Sequence, residues 1–295
     1  MKICDEILSA KYDIVFKLLF GDERSIEQLT DFLKAVLDLP EDEYDEVVIV
    51  DPHLLPEYKG DKLGILDVKV KTKSKKVIDI EIQVDPSPAF KNRVVYYSAK
   101  MITEQVGSSE QYKNINRVIS IIITDYVLIP GSKRYHNRFT LYDPESRSEF
   151  TDLIEVHVLE LPKIPAEWDG TEKWDWMKFL SVDKKEELDM IAAKNPRVGR
   201  AVARLLELSQ DEKARMLFES RQKLEWDIQS REQGARAEGI AEGIAVGEAR
   251  GIDKGIDKRN LEVARDMIAD GEPTEKIVRY SGFTREKVEG LRGAK

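Results

Sequence analysis

Two segments, Ile65 to Lys71 and Val77 to Asp85, alternate apolar and polar positions with the period of half-buried strands. The link between them, Thr72-Lys73-Ser74-Lys75-Lys76, is short and polar, so the pattern predicts an antiparallel hairpin turning about Ser74. That turn sets Asp67 opposite Glu81 and Lys69 opposite Asp79. A slip of one residue would break the pairing and rotate Ile78, Ile80 and Ile82 out of the core. Upstream, Ile14, Phe16, Leu18 and Leu19 mark an amphipathic opening helix. Downstream, Pro86-Ser87-Pro88 interrupts the second strand and launches a helix near 89–106. The unbroken apolar run Val118 to Ile123 fits a central strand covered on both faces, and further strands are expected around Phe139–Tyr142 and Ile154–Leu161.

After Leu161-Pro162-Lys163-Ile164-Pro165 the period changes to that of helices. Trp174, Met177, Phe179 and Leu180 begin it, and Leu188 with Ile191, then Val198 with Val202 and Leu205, continue it. The pattern divides the chain into an α/β domain over 1–165, a helical extension over 166–232, a Gly-repeat helix or linker over 233–259 and a small helical tail over 260–295. From about Asp211 to Asp266 one long helix is expected, but Gly239, Gly243, Gly247, Gly251 and Gly255 recur every fourth residue inside it. Each interior Gly costs about 0.8–1.0 kcal/mol relative to Ala. The repeat reads as a self-associating helix first, with a flexible tether or a low-complexity expansion as alternatives. A membrane dimerisation motif is excluded by the charges throughout. Beyond it, Leu261 to Ala269, Thr274 to Tyr280 and Thr284 to Leu291 suggest three short helices resembling a helix-turn-helix unit, with Thr274 and Thr284 as N-caps. Such a unit reads DNA or serves as a packing or dimerisation module.

Composition narrows the function classes. The 295 residues include one cysteine, Cys4, which excludes an intrachain disulfide framework and suits a reducing cytoplasm. No apolar run is long enough to span a membrane, and no signal-peptide core is visible. A net charge of −9 argues against a blanket electrostatic DNA binder. Lys69, Lys71, Lys73, Lys75, Lys76, Lys91, Arg93 and Lys100 nevertheless concentrate around the hairpin, as a local basic groove or as a solvated sheet edge.

The hairpin carries the candidate chemistry. Directly opposed residues have Cβ atoms roughly 4.5–5.5 Å apart, so Asp67 and Glu81 are close enough to share one cation. They either hold a hard, oxygen-seeking ion such as Mg²⁺ or belong to a charged sheet face balanced by the neighbouring lysines. Asp79 and Asp85 share the Glu81 face and read as surface acids. Asp13, at the start of the opening helix, reads as a cap or first-turn dipole partner. Tyr97 and Met101 read as core positions of the helix that also carries Arg93, Tyr96 and Lys100.

The order of these features adds to the reading. Lys11-Tyr12-Asp13-Ile14-Val15-Phe16-Lys17-Leu18-Leu19-Phe20-Gly21, the hairpin, Arg93-Val94-Val95-Tyr96-Tyr97, Glu104-Gln105, Tyr112 and the strand Arg117 to Thr124 together resemble the Rpn family of recombination-promoting nucleases, often labelled transposases, within the PD-(D/E)XK nuclease superfamily. The resemblance covers about the first half of the chain and the style of its tail. It implies a restriction-endonuclease-like mixed sheet flanked by helices, with Asp67 and Glu81 as metal-binding acids and the Ile82 carbonyl as a further ligand. It adds Asp13 as an acid from the first helix, and it places Arg93, Lys100 and Gln105 where they would contact substrate phosphate.

Gln83 stands where the superfamily usually has Lys. Gln orients water by hydrogen bonding but does not take its proton at neutral pH, so the metal must supply the activation. The implied function is Mg²⁺-dependent DNA endonuclease activity, with Mn²⁺ as a substitute. Its expected setting is recombination, mobile elements or phage defence, in a homodimer formed through the helical C-terminal region. The alternative is a catalytically silent fold acting as a DNA-binding or oligomeric interaction protein, which Gln83 and the acidic balance favour.

Overall fold

The computed structural model describes residues 7–54, 64–107 and 111–293, so Cys4 lies outside the described residues. The chain forms two compact units, Met1–Arg221 and Gln222–Lys295. In the first, β1 (Val48–Val50), β4 (Val68–Lys71), β5 (Val77–Gln83), β6 (Val118–Thr124), β8 (Glu149–Glu160) and β7 (His136–Tyr142) form one sheet in that spatial order. The β5–β6 and β6–β8 pairs are parallel and the others antiparallel, so the sheet is mixed. A separate ribbon joins β2 (His53–Leu54) to β3 (Gly64–Ile65). Parallel neighbours need a crossover, and between β5 and β6 that crossover is α3 (Phe90–Thr103).

Alternation along the strands sorts the residues into two faces. Ile78, Ile80, Ile82, Ile119, Ile121, Ile123 and Leu159 meet α1 (Asp13–Phe20) and α2 (Ile26–Val36) through Phe16, Phe20, Phe32 and Leu33. The same core takes Trp176 and Phe179 of α4 (Glu172–Ser181), Leu188 of α5 (Lys185–Lys194) and Val198, Val202 and Leu205 of α6 (Pro196–Gln210). The helices following Pro165 therefore complete the layer over this face. On the other face α3 packs Phe90 and Val94 on Ile122, and Met101 joins Val77 and Val118. All seven residues of β6 are buried, as expected for a strand with layers on both sides.

The hairpin register is as expected, with Val68 opposite Ile80 and Lys69 opposite Asp79. The first strand, however, is broken rather than continuous from Ile65. Gly64 and Ile65 pair with β2, and β4 starts only at Val68. The break is stabilised by substitutes for ladder bonds: the Leu66 N–H donates to the Pro52 carbonyl and the Ile82 N–H to the Asp67 carboxylate. Edge strand β1 lies outside the expected elements, since three residues are too short for a periodic signal. Strand β8 runs longer than its apolar segment because β7 pairs with its polar first half.

The hairpin turn is held from outside. Glu43 accepts from Thr72 Oγ1 at 2.7 Å, from Ser74 Oγ at 2.9 Å and from the Lys76 ammonium. Burial would raise the Glu43 carboxyl, yet these donors hold it down at about 2. Lys73 pairs with Asp45 at 3.1 Å. Two of the turn lysines, Lys73 and Lys76, are thus paired with the Glu41–Glu46 segment.

Helix α7 (Glu212–Ala269) is continuous through the five glycines, and a Cβ built on any of them finds no atom within 4 Å. Among the described residues nothing packs on the glycine stripe. In the second unit, Ala264 of α7 packs with Ile277 of α8 (Thr274–Ser281), Phe283, and Val288 of α9 (Arg285–Gly293). Between α8 and Phe283 the backbone turns through Gly282 at φ 70°, a conformation that disfavours side chains. Thr284 accepts from the Lys287 N–H at 3.4 Å, a long capping bond. Thr274 is instead the first helical residue of α8, and the N-cap position falls to Pro273, which has no side-chain acceptor. Among the described residues no helix is long and apolar enough to cross a membrane.

Candidate active site

The candidate site is built where β4, β5, α1 and α3 converge. Helix α1 is fixed by Val15, Phe16, Leu19 and Phe20, all buried, which leaves Asp13 and Lys17 one turn apart on its flank. Its end is tight as well: a Cβ on Gly21 would lie 2.7 Å from the Lys17 carbonyl.

Asp67 occupies the bend before β4. Its Oδ2 accepts the Ile82 N–H at 3.0 Å and its Oδ1 lies 2.9 Å from Lys17 Nζ. Burial raises its pKa, against Lys17 and the Ile82 N–H, which favour the charged form. The neighbouring Asp13 adds a smaller push in the same direction as burial. Glu81, 6% exposed, follows Ile80 on β5, one residue past the last ladder pair, Val68–Ile80, as Asp67 is on the other strand. Burial and then the Asp67 charge push its carboxyl up to about 7, opposed by Arg93 and Lys17. Glu81 therefore stands in the field of Asp67.

Arg93 of α3 reaches back across β5. Its guanidinium donates to Gln83 Oε1 at 2.8 Å, lies 3.6 Å from Glu81 Oε2 and stacks over the Phe90 ring at 4.9 Å. The other end of the Gln83 amide donates to the Asp85 carbonyl at 3.0 Å. Both ends of the amide are therefore engaged within the protein.

Asp79 departs from its expected place on the surface. It is 2% exposed, beneath α3 and one pleat from Glu81, and its Oδ1 has no hydrogen-bond partner. Burial, then Glu81 and Asp67, drive its pKa well above the ordinary carboxylate value. Alternation alone did not reveal this, because the covering helix comes from residues 90–103. Lys69, opposite Asp79, pairs with Glu104 at 3.0 Å. Asp85 is exposed, as expected.

The remaining candidates separate. Asp13 is the first residue of α1, where its Oδ1 accepts the Ile14 N–H at 2.7 Å, and it pairs with Arg221 at 2.8 Å; the N-cap position itself is Tyr12, which makes no side-chain cap bond. Lys100 is buried in α3, with its ammonium 5.8 Å from the Tyr96 ring centroid. Gln105 bonds the Met101 and Asn116 carbonyls at 3.1 Å and accepts the Asn116 N–H at 2.9 Å. It pins the end of α3 to the segment entering β6, beside Val77 at the far end of β5 from Glu81. The residue missed from the pattern is Lys17. Its signal was present as the fourth residue after Asp13 in the opening motif.

On the opposite sheet face, His136 and His157 do meet, although no histidine cluster was expected. The rings stack, Nε2 of His136 lies 2.8 Å from Nδ1 of His157, and Glu155 and Lys173 complete the chain of bonds. Burial is the first cause holding both imidazoles down to about 3, so they are neutral. Among the described residues no three Asp, Glu, His or Cys side chains converge as a complete metal cage.

Residues 10–235 match the model of the PD-(D/E)XK nuclease family transposase domain. The chain belongs to this family. No curated protein and no solved structure matches the chain. The family match spans α1, the hairpin, α3 and the whole mixed sheet, so the acids of the hairpin fall inside the PD-(D/E)XK nuclease domain. Membership establishes a nuclease-type domain, and the mixed sheet flanked by helices accords with that fold.

Proposed function

We propose that this PD-(D/E)XK family member is a divalent-metal-dependent DNA endonuclease whose site is centred on Asp67 and Glu81. The observation that carries the reading is the pair itself: two carboxylates at the base of one hairpin, both with pKa values raised by burial, that of Glu81 further by the charge on Asp67. Like charges buried side by side destabilise a fold unless a cation neutralises them. The donor set fits Mg²⁺ or Mn²⁺, which bind through one or two carboxylates together with substrate phosphates and need no complete protein cage. Asp67 and Glu81 would hold the ion, with the Ile82 carbonyl as a further oxygen donor. The bound ion would lower the pKa of a coordinated water and stabilise charge on the scissile phosphate.

The protein's own residues supply orientation. Arg93 offers guanidinium N–H donors beside Glu81, suited to an anionic phosphate oxygen. Gln83 tethers Arg93, and on releasing it would present an amide to a water. Asp13 adds a further negative charge beside Asp67 on the α1 side, which a bound cation would offset. The setting proposed is cytoplasmic, consistent with a lone cysteine, and the assembly a homodimer through the helical C-terminal region. Recombination, mobile-element movement or phage defence would use the resulting breaks.

The test uses plasmid and single-stranded DNA with Mg²⁺, Mn²⁺ or EDTA. Cleavage should require the metal and fall at least 10²-fold in Asp67→Ala and in Glu81→Ala. Cleavage that survives both substitutions overturns the site. A second reading, a silent fold that binds DNA without cutting it, is favoured by the fully engaged Gln83 amide. DNA binding without cleavage in any of the metals is its expected signature.

A further inference from the structure

We propose that Lys17 of α1 supplies the ammonium that Gln83 leaves missing and contacts a non-bridging oxygen of the scissile phosphate. This rests on the nuclease reading of the same site. Among the described residues three cations stand near the acids. Lys69 is buried and paired with Glu104, and Arg93 is shared between Gln83, Glu81 and the Phe90 ring. Lys17 differs from both. Its side chain is one-third exposed, and it lines an open cavity of about 460 Å³ whose charged walls are mixed, Arg24, Arg204 and Lys213 standing with Asp22, Glu207 and Asp211.

An ammonium has three N–H donors, and the bond to Asp67 Oδ1 at 2.9 Å uses one of them. The others can reach an anionic oxygen brought up to the acids. The position of Lys17 is set by the core, because the buried residues on either side of it, Phe16 and Leu19, anchor the helix turn that carries it. A fixed cation aimed at the place where phosphate charge develops is the arrangement that stabilises such a transition state. A helix thus provides what the second strand lacks.

The experiment compares the wild type with Lys17→Met and Lys17→Arg. Single-turnover cleavage is measured in Mg²⁺, and duplex binding in Ca²⁺ is measured across a series of salt concentrations. Lys17→Met should slow cleavage by about 10²-fold or more. It should also reduce the slope of log affinity against log salt by about one, the signature of one lost phosphate contact. Lys17→Arg should restore the slope and part of the rate. Thermal melting identifies any variant that fails to fold, and Lys17→Gln then takes its place. A Lys17→Met rate within threefold of wild type, or an unchanged salt slope, overturns the proposal. If the wild type cuts nothing in any metal, the nuclease reading fails, and the salt slope still decides whether Lys17 contacts phosphate.

Discussion

Glu81 illustrates how a functional side chain is held at a cost to the fold. Its carboxyl, raised to about 7 by burial and by Asp67, binds a proton more tightly in the folded chain than in the unfolded one. The sign of the linkage follows. The penalty is absent below the unfolded pKa near 4.5, grows as pH rises and is complete above about 7. Glu81→Gln should therefore stabilise the metal-free protein by about 2 kcal/mol at pH 8 and by little at pH 4.5, while abolishing cleavage. Urea titrations in EDTA at the two pH values measure it. Equal effects at both would show that the carboxylate is not strained by its neighbours. Residue Asp79 carries the same lesson: pattern placed it on the acid face, but only its cover by α3 makes it a buried carboxyl.

At the scale of elements, the hairpin and helix α1 are the parts whose integrity the site needs. The turn depends on Glu43, whose lowered pKa gives the opposite linkage to that of Glu81. Its contribution is present above the ordinary Glu value and is lost as pH falls toward about 2. Glu43→Gln should cost about 2 kcal/mol at pH 7, since donors to a buried carboxylate lose their charged acceptor, and the gap to wild type should narrow below pH 4.5. Denaturant midpoints across that range check it. Helix α1 is anchored by Phe16, fully buried against the sheet layer. Phe16→Ala should cost about 3–5 kcal/mol and reduce cleavage beyond the loss of folded protein, because Asp13 and Lys17 ride on the same helix. Activity per folded molecule, after melting curves fix the folded fraction, separates the two effects.

For the whole molecule, the two units raise different questions. The unit over Met1–Arg221 contains the sheet and the acids, whereas Gln222–Lys295 contains the glycine stripe and a small helical core. Since no atom of the described residues lies within 4 Å of a Cβ placed on any of the five glycines, replacing Gly243, Gly247 and Gly251 with Ala should raise helix stability by about 0.8–1.0 kcal/mol each. If the stripe is where two copies approach, the same triple variant should weaken self-association. Circular dichroism and sedimentation together test this: more helix with an unchanged oligomer would assign the glycines no role in assembly.

Much was legible in the residue order itself. The period-two pattern of Val77–Gln83 and the short polar link determined the hairpin and its register, because one slip would expose three isoleucines. The apolar run of β6 determined a central strand, and the opening motif with the hairpin pointed to the family that the match over residues 10–235 establishes. What the tertiary structure alone decided is which polar groups meet. It bent the chain at Asp67, drew Lys17 and Arg93 to the acids from two different helices, buried Asp79 and carried Gln105 to the other end of β5. Periodicity reports which face of an element a residue occupies. The field a side chain feels, and the donors left to it, depend on elements distant in sequence that pack against that face.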